Sequence, residues 1–395
     1  MVDFKELDKK YYMQTIVRDP VTIVKGKGAR VWDDNGKQYL DFVAGLAVNC
    51  LGHCHPAVVN AVKKQAGILM QASLWYYSPP FLRLAELLVK NSDFKRVFIC
   101  NSGLEANEGA MKLARRYGAL KLNGAYEVIT TFNSFHGRSL AMTAATGQPK
   151  LQEPFKPLPV GFVNVENNNI EAIKAATTDK TCAVMLEPIQ AEGGVNIPDD
   201  DYLKKVSEWC DSARILLIMD EVQTGIGRTG SLFCYTQYGI EPDVITLAKG
   251  LGGGVPIGAF MAKEKCAVLT LGEHNATFGG NALTSAAAYA TLKYVIENDI
   301  PGNAKNVGQY LMEKLNELKA KYSFIIDVRG RGLLIAVQFN KEISKDVVAA
   351  CIKNGLLVNR LKPDAIRLIP PLIITPKHVN EAITILDKVF AEIGK

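Results

Sequence analysis

Short apolar runs of strand length recur between residues 97 and 262. Several are nearly continuous in Val, Ile and Leu, as in VFIC and ILLIMD, which is typical of strands buried on both faces of a sheet. The strands predicted in this way are residues 97–100, 128–132, 182–187, 215–220, 244–247 and 257–262. Segments with helical periodicity, such as 104–122 and 200–212, lie between them. The alternation predicts an α/β domain with a mostly parallel central sheet, helices on both faces, and a ligand site at the carboxyl ends of the strands.

The pattern changes beyond about residue 281. Two helical segments, NALTSAAAYATLKYVIEN and NVGQYLMEKLNELKAKY, precede an order of strand, helix, strand and helix, predicted at residues 325–339, 344–354, 366–369 and 376–393. This order predicts a smaller α+β domain. The first sixty residues show only short strands near 29–32 and 38–41, joined by a DDNG turn. We therefore expect an N-terminal segment, 1–60, that packs with the small domain, a large domain at 61–285, and a small C-terminal domain at 286–395.

The composition gives no indication of a membrane span, a signal peptide or nucleic-acid binding. The 395 residues are 48% hydrophobic and 22% charged, which is typical of a globular protein. No run approaches the roughly 20 apolar residues that a bilayer span needs, and the first thirty residues carry charges in place of an apolar signal core. We therefore expect a cytoplasmic protein without membrane contact. The net charge of +6 is spread along the chain without a Lys/Arg block, so nucleic-acid binding has no support.

A Cys/His cluster within NCLGHCHP offers four potential zinc ligands, Cys50, His53, Cys54 and His55. Four ligands packed so closely cannot surround a tetrahedral ion without a second, distant pair. We therefore predict no metal here, and a tight turn before a helix that begins at Pro56. The eight cysteines of the chain are interpreted as reduced thiols, mostly in the core.

The segment GIGRTG matches the dinucleotide-binding pattern G-x-G-x-x-G at Gly225, Gly227 and Gly230. Its context does not match, because residues 221–224 separate it from the preceding strand and the following SLFCYTQYG has no helical period. We therefore predict that it binds no nicotinamide dinucleotide.

Polar residues stand at the ends of three predicted strands. Asp220 closes ILLIMD, where a carboxylate needs a cationic or donor partner. Lys249 closes VITLAK, and a lysine at a buried strand end can have the lowered pKa that Schiff-base chemistry requires. Ser102 and Gly103 precede a helix, whose first backbone N–H groups can bind an anion. Each has an ordinary alternative: an ion-paired strand end, a solvated loop charge and a helix cap. Together they favour a cofactor with a phosphate, a basic ring nitrogen and an aldehyde, which is pyridoxal 5'-phosphate (PLP).

From about Tyr11 to near the C terminus the chain resembles the fold-type I, class-III aminotransferases, a PLP-dependent family acting on ω-amino groups. The motifs that carry the resemblance, in order and spacing, are NSGLEANEGAMKLAR, FNSFHGRSLAMTAATGQPK, MLEPIQAEGGV, MDEVQTGIGRTG, LAKGLGGGVPIGA, HNATFGGNALTSAAA and RLIPPL. The DEVQTGIGRTG and AKG segments are the most specific. VAGLAVNCLGHCHP, and FHGRS followed by GQPK, are most similar to members that act on N-acetylornithine. The resemblance implies transfer of its terminal amino group to 2-oxoglutarate in arginine biosynthesis. Ornithine, succinylornithine, succinyl-diaminopimelate and 4-aminobutyrate are the alternative donors.

The same resemblance implies roles for residues at the cofactor. Lys249 would bind the cofactor aldehyde and later carry the proton that transamination moves. Asp220 would keep the ring nitrogen protonated, and Gln223 would bond the phenolic oxygen. Phe135 would stack on the ring face.

Phosphate binding would fall to Ser102 and Gly103, with Thr277 reaching the phosphate from the partner subunit. That arrangement implies a homodimer with two shared sites. One departure from the family lies beside this site, since Leu104 stands where relatives commonly have Thr and one phosphate hydroxyl is lost.

Two carboxylates must be recognised by the substrate site. Arg138 would bind the carboxylate far from the reacting carbon, and Arg367 the one next to it. The donor has no carboxylate near the reacting carbon, so Glu192 would neutralise Arg367 until the oxo acid arrives. The alternative for Glu192 is an exposed loop acid.

Two other functions stay open from the sequence. A different PLP reaction, such as decarboxylation or racemisation, could use the same fold. A non-catalytic protein of this fold could lose Lys249 or Asp220 freely, and both are present.

Overall fold

The structure, a computed structural model, describes residues 3–394. The α-helices are α1 Phe4–Tyr11, α2 Ala44–Ala47, α3 Pro56–Ala66, α4 Pro79–Lys90, α5 Gly103–Lys121, α6 Leu140–Ala145, α7 Pro149–Gln152, α8 Ile170–Ala176, α9 Tyr202–Ala213, α10 Ala282–Glu297, α11 Ile300–Lys321, α12 Ser344–Lys353 and α13 Pro376–Ile393. Within residues 3–394, no helix combines the length and the apolar character needed to cross a membrane.

The strands are β1 Ile23–Lys27, β2 Arg30–Asp33, β3 Gln38–Asp41, β4 Arg96–Cys100, β5 Glu127–Thr131, β6 Phe162–Val165, β7 Thr181–Leu186, β8 Leu216–Asp220, β9 Val244–Leu247, β10 Gly258–Ala262, β11 Ile325–Arg331, β12 Leu334–Phe339, β13 Leu356–Leu357, β14 Asn359–Lys362 and β15 Ala365–Leu368.

The central sheet has seven strands in the order β4-β10-β9-β8-β7-β5-β6. Strands β5 to β9 pair in parallel, and only β10 runs antiparallel to its neighbours β4 and β9. Every residue of β7, β8, β9 and β10 is buried, which explains their uninterrupted apolar sequences. The predicted α/β fold with a mostly parallel sheet is confirmed.

Helices cover both faces of this sheet. On β8, Ile218 belongs to one hydrophobic cluster, whereas its neighbours Leu217 and Met219 belong to another. Successive residues of a strand point to opposite faces, so the sheet separates two cores. Helix α5 packs against β7, β8, β9 and β10 on one of these faces. The long helix therefore begins beside the strand ends at which the predicted site residues lie.

A second sheet, β11-β12-β15-β14, is antiparallel throughout. The prediction of a single strand at 325–339 is wrong, because Arg331 pairs with Leu334 and the chain reverses at Gly332, whose φ is +55°. A positive φ at a tight turn is a conformation that glycine adopts readily. Strands β6 and β14, which the hydrophobic pattern did not predict, each lie at the edge of a sheet.

The N-terminal strands β1, β2 and β3 form an antiparallel meander. Strand β3 pairs in parallel with β13, from the C-terminal part of the chain. Arg30 on β2 also forms two bonds, of 2.8 and 2.6 Å, with Glu381 on α13. These contacts join the two ends of the chain. The domain boundaries near residues 60 and 285 stay predictions.

Candidate active site

A cavity of about 550 Å³ lies at the carboxyl ends of the central strands. Strands β8 and β9 are neighbours in the sheet, so their ends bring Asp220 and Lys249 to the same edge. Eight of the predicted site residues line this cavity: Ser102, Gly103, Phe135, Arg138, Glu192, Asp220, Gln223 and Lys249. The topology therefore unites residues that are separated by up to about 150 positions in the chain.

Asp220 is 3% exposed and ends β8. Its Oδ1 accepts a hydrogen bond from the backbone N–H of Val222 (3.0 Å). Its Oδ2 accepts from Asn107 Nδ2 (2.8 Å) and from His136 Nδ1 (2.8 Å). These three donors fix the position of the buried carboxylate at the wall of the cavity.

Asn107 and His136 line the cavity and contact Asp220, and the sequence analysis did not assign them to the site. Asn107 also donates to the backbone oxygen of His136 (2.7 Å), so the two side chains and Asp220 form one network. The position of Asn107 could have been predicted from the sequence, because it follows Gly103 by four residues on α5 and therefore lies on the same face of the helix. His136 lies between the predicted residues Phe135 and Arg138.

Lys249 follows β9 and opens a short 3-10 helix, Lys249–Leu251. Its φ is +38°, an uncommon backbone conformation for a residue with a side chain. Burial lowers the pKa of its amine, the charge of Glu192 opposes this shift, and the charge of Arg367 adds to it. A lowered pKa increases the neutral, nucleophilic fraction of the amine.

The start of α5 fits a phosphate group. The first intrahelical bond runs from Ala106 N–H to Ser102 O (3.1 Å), and Ser102 Oγ accepts from Glu105 N–H (3.2 Å). The N–H groups of Gly103 and Leu104 therefore have no carbonyl partner within the helix. A Cβ on Gly103 would lie 2.8 Å from Val222 Cγ1, so only glycine allows this close packing. Leu104 itself lines the cavity with carbon atoms in place of a hydroxyl.

Arg367, on β15, is completely buried. Its Nη2 lies 3.0 Å from Glu192 Oε1, and Asn359 Oδ1 accepts from its Nε (3.1 Å) and its Nη2 (2.8 Å). Its Nη1 donates to Ala191 O (3.0 Å) and to Gln223 Oε1 (3.0 Å). The predicted pair of Arg367 and Glu192 is therefore formed, and the guanidinium has partners on each of its nitrogens.

Glu192 lies in the loop after β7 and borders the cavity. Burial alone would raise the pKa of its carboxyl, but the positive charges of Arg367 and Lys249 outweigh burial, and the pKa lies below its usual value. The interpretation as an exposed loop acid does not hold, because the side chain is 30% exposed and ion-paired.

Glu187, immediately after β7, is a further cavity residue that the sequence analysis did not assign. It accepts hydrogen bonds from the backbone N–H groups of Phe135 (2.9 Å) and Ala191 (3.1 Å). Burial raises the pKa of its carboxyl, and the charge of Asp220 adds to this while His136 opposes it. The signal was the same as for Asp220, since Glu187 also closes a buried strand.

Thr277 is the one predicted cofactor residue that does not line the cavity of its own chain. It is exposed, and its backbone oxygen accepts from Gln71 Nε2 (2.6 Å). Its role at the phosphate of a partner subunit stays a prediction.

The side chains of the Cys/His cluster do not converge on one point, because they contact different partners. His53 Nε2 lies 2.7 Å from Asp41 Oδ2, and Cys50 Sγ donates to Gly250 O (3.0 Å). His55 caps α3, which begins at Pro56 as predicted, and Cys54 is exposed. No group of three or more potential metal-ligating side chains is found among residues 3–394.

The glycine-rich segment GIGRTG forms turns that are followed by a 3-10 helix at Cys234–Tyr238. The buried carboxylate of Glu221 accepts from the N–H groups of Cys234 (2.9 Å) and Tyr235 (2.7 Å) and ties this segment down. The segment thus lacks the helix that a dinucleotide pyrophosphate would need.

Residues 12–390 match the family model for class-III aminotransferases. The chain belongs to this family. It is 49% identical to the acetylornithine aminotransferase of Methanocaldococcus jannaschii, over 99% of this chain and 98% of that protein. It is 48% identical to the acetylornithine aminotransferase of Caldanaerobacter subterraneus subsp. tengcongensis, with 98% of each chain covered.

Solved structures of class-III aminotransferases have the same fold. The ornithine aminotransferase of Toxoplasma gondii superposes with a TM-score of 0.95 at 35% identity, covering 99% of this chain and 94% of that one. The N-acetylornithine aminotransferase of Stenotrophomonas maltophilia gives a TM-score of 0.85 at 36% identity, covering 98% of each chain.

Class-III aminotransferases are PLP-dependent enzymes, and another structure of the Toxoplasma enzyme contains PLP in its active site. The residues of this cavity fit that cofactor. The start of α5 has N–H groups without a carbonyl partner in the helix, Asp220 is a buried carboxylate held by three donors, and Lys249 supplies an amine whose pKa is lowered by burial. All three lie in one cavity.

Proposed function

We propose that this enzyme transfers the terminal amino group of N2-acetylornithine to 2-oxoglutarate, giving N-acetylglutamate 5-semialdehyde and glutamate, as a step of arginine biosynthesis. Relatives that are 43–49% identical over nearly their whole length are named acetylornithine aminotransferase, which supports this donor. The structural observation that carries the proposal is the buried ion pair between Arg367 and Glu192, in contact with the cavity that contains Lys249.

The ion pair allows one site to accept substrates with and without a carboxylate beside the reacting carbon. N-acetylornithine reacts at an amine far from its carboxylate, whereas 2-oxoglutarate reacts next to one. Arg367 binds the carboxylate beside the reacting carbon of the oxo acid, and Glu192 neutralises the guanidinium when the donor is bound. An unpaired guanidinium beside an apolar chain would be costly, because a buried charge needs a partner. Arg138, at the exposed rim, binds the distant carboxylate of either substrate.

When bound, PLP would supply an aldehyde for the amino group and a ring that stabilises negative charge at the reacting carbon. Lys249 would bind the cofactor between turnovers and would act as the base and acid that moves the substrate proton. Asp220 would keep the ring nitrogen protonated, and Gln223 would donate to the phenolic oxygen. Ser102 and Gly103 would bind the phosphate, and Phe135, whose ring centroid lies 5.5 Å from the Arg138 guanidinium, would cover the ring face.

We also propose that the enzyme is a homodimer with shared sites. An aromatic patch, formed by Trp75, Tyr76, Tyr77 and Phe278, is 65–93% exposed. The two loops that carry this patch are joined by the bond from Gln71 to the backbone oxygen of Thr277. A large exposed apolar surface is typical of a subunit interface. Burial of the patch against a second copy would bring Thr277 of the partner subunit towards the phosphate site.

A cytoplasmic location is proposed from chemistry. The eight cysteines are all unpaired, and seven of them are buried. Free thiols are typical of a reducing compartment, in which amino-acid biosynthesis takes place.

A comparison of donors tests the reaction. The holoenzyme is incubated with 2-oxoglutarate and, in turn, N-acetylornithine, ornithine, succinylornithine, succinyl-diaminopimelate or 4-aminobutyrate, and kcat/KM is measured together with the glutamate formed. We expect the highest kcat/KM with N-acetylornithine and one glutamate per donor consumed. A higher kcat/KM for another donor would refute the proposed substrate, and product without stoichiometric glutamate would refute transamination.

A further inference from the structure

Gln223 connects both members of the ion pair. It is 6% exposed and lies three residues after Asp220. Its Nε2 donates to Glu192 Oε1 (3.1 Å), and its Oε1 accepts from Arg367 Nη1 (3.0 Å). Since Arg367 Nη2 also lies 3.0 Å from Glu192 Oε1, the three side chains form a closed ring of polar contacts.

The charges fix the orientation of the amide. A guanidinium only donates and a carboxylate only accepts, so the amide oxygen must face Arg367 and the NH2 group must face Glu192. When Glu192 moves away, Gln223 loses its charged acceptor but still accepts from Arg367. The guanidinium therefore stays in place for an incoming carboxylate, held also by Asn359 and Ala191.

Glu192 and Arg367 form a gate, because Glu192 must leave Arg367 before a substrate carboxylate can bind there. We propose that Gln223 is the third member of this gate and determines specificity, in addition to any contact with the cofactor. It stabilises the closed position of Glu192 and occupies one N–H of Arg367, while Asn359 and Ala191 hold the guanidinium in place when Glu192 moves away. It thereby sets the balance between substrates that react beside a carboxylate and those that react at a terminal amine. The inference rests on the proposed function, because it assumes that one site accepts both substrate types.

Two substitutions of Gln223 should act in opposite directions. Gln223→Leu is similar in size, removes the donor to Glu192 and leaves one N–H of Arg367 free for a substrate carboxylate. Gln223→Glu places a second carboxylate beside Arg367, which repels Glu192 and competes with the substrate carboxylate. The first change therefore favours glutamate over N-acetylornithine, and the second disfavours glutamate.

The kinetic measurement is the ratio of the two half-reaction efficiencies, glutamate over N-acetylornithine, within one variant of the holoenzyme. A weakened cofactor contact lowers both efficiencies and cancels in this ratio. We expect Gln223→Leu to raise the ratio about threefold or more and Gln223→Glu to lower it about tenfold, the order of effect typical of changes at a buried charge pair. Gln237→Leu is the control, since this glutamine lies outside the cavity, donates to Thr229 O (3.0 Å) and Ser231 Oγ (2.7 Å), and should leave the ratio unchanged.

Binding of glutarate gives a second reading that needs no turnover. This dicarboxylate lacks the reactive carbonyl, and its two carboxylates can bind Arg138 and Arg367 at the same time. Calorimetric titration of the holoenzyme should show tighter binding to Gln223→Leu and weaker binding to Gln223→Glu, by factors similar to those of the kinetic ratio.

Glu192→Ala serves as the reference, because it opens the gate permanently and should raise the kinetic ratio roughly tenfold or more. If this variant shifts the ratio while both Gln223 variants leave it and the glutarate affinity within twofold of the native enzyme, Gln223 is not part of the gate. If Glu192→Ala itself leaves the ratio unchanged, there is no gate and the inference falls with it. Failure of the proposed function is a separate result, because the native holoenzyme would then form no glutamate from 2-oxoglutarate when N-acetylornithine is the amino donor.

Discussion

The cavity of this enzyme contains ionisable side chains whose pKa values are shifted by burial. Lys249 combines a lowered pKa with a positive φ, and it shares its cavity with two buried carboxyl groups, Asp220 and Glu187. Unusual backbone conformations and shifted pKa values are concentrated at functional sites. The two carboxyl groups have different partners, because Asp220 accepts from side chains and one backbone N–H, whereas Glu187 accepts from two backbone N–H groups.

At the residue scale we predict the effect of Lys249→Ala. The variant should fold and bind PLP through the phosphate site and Asp220, but without a covalent bond to the protein. The rate of amino transfer should fall by several orders of magnitude, because general acid/base catalysis alone contributes roughly 10²- to 10⁴-fold. Borohydride treatment followed by peptide mass analysis measures the covalent attachment. Lys265→Ala is the control, since Lys265 is 56% exposed, pairs with the buried Asp243 and does not line the cavity, so its loss should leave the attachment intact. Cofactor fixed to Lys249→Ala would mean that another lysine binds it.

At the scale of elements, the loop that carries Glu192 is held by the C-terminal sheet. Arg329 on β11 donates to Gly194 O from Nε (3.0 Å) and Nη2 (2.6 Å), and from Nε to Val195 O (3.2 Å). Val195 has a φ of +53°, which is strained for a β-branched residue. These bonds maintain a backbone conformation that would otherwise relax, and they connect the loop of Glu192 to β11.

We predict that Arg329→Met leaves two loop carbonyls without their donor. The free energy of unfolding should fall by about 1–3 kcal/mol, the usual cost of unsatisfied buried polar groups. Hydrogen exchange should become faster at residues 190–196, while the strands of the central sheet keep their protection.

Arg331→Met is the matched control for this change. Arg331 lies on the same strand, but it pairs at 3.4 Å with Asp200, a side chain that is 98% exposed. Such surface pairs contribute about 0–1 kcal/mol, so this variant should exchange at residues 190–196 as the native enzyme does. Equal exchange in the two variants would show that Arg329 does not anchor the loop.

At the scale of the whole molecule, the aromatic patch predicts how two copies associate. A charge on Tyr77, which is 93% exposed, should prevent burial of the patch. We expect Tyr77→Glu to sediment as a monomer at micromolar concentration and to bind PLP more weakly, because Thr277 of the partner subunit would no longer reach the phosphate.

Val160→Glu provides the comparison for the dimer test. Val160 is 78% exposed and belongs to a different loop, next to Arg115. This variant should sediment as the native enzyme does. A dimeric Tyr77→Glu would exclude the patch as the interface, whereas dissociation of both variants would point to a general effect of added charge.

The sequence by itself predicted six of the seven strands of the central sheet and eight of the residues that line the cavity. Strands β7, β8 and β9 are buried on both faces, so their local composition reveals them without knowledge of their neighbours. Asp220 and Lys249 each have an ordinary explanation when taken alone, and they point to a cofactor only in combination with the anion site at Ser102 and Gly103. The family motifs then assigned roles to these residues.

Only the tertiary structure decided which side chains act on one another. Asn107 and Asp220 are 113 positions apart, and Arg367 and Gln223 are 144 apart, yet each pair is in hydrogen-bond contact. Periodicity reports the local burial of a segment but not its distant partners. The network on Asp220, the contacts of Glu187 and the place of Gln223 between Glu192 and Arg367 were therefore not predicted, whereas the pair of Glu192 and Arg367 followed from the family resemblance. The edge strands β6 and β14 were missed for a related reason, because an edge strand is formed by pairing with its neighbour more than by its own apolar pattern.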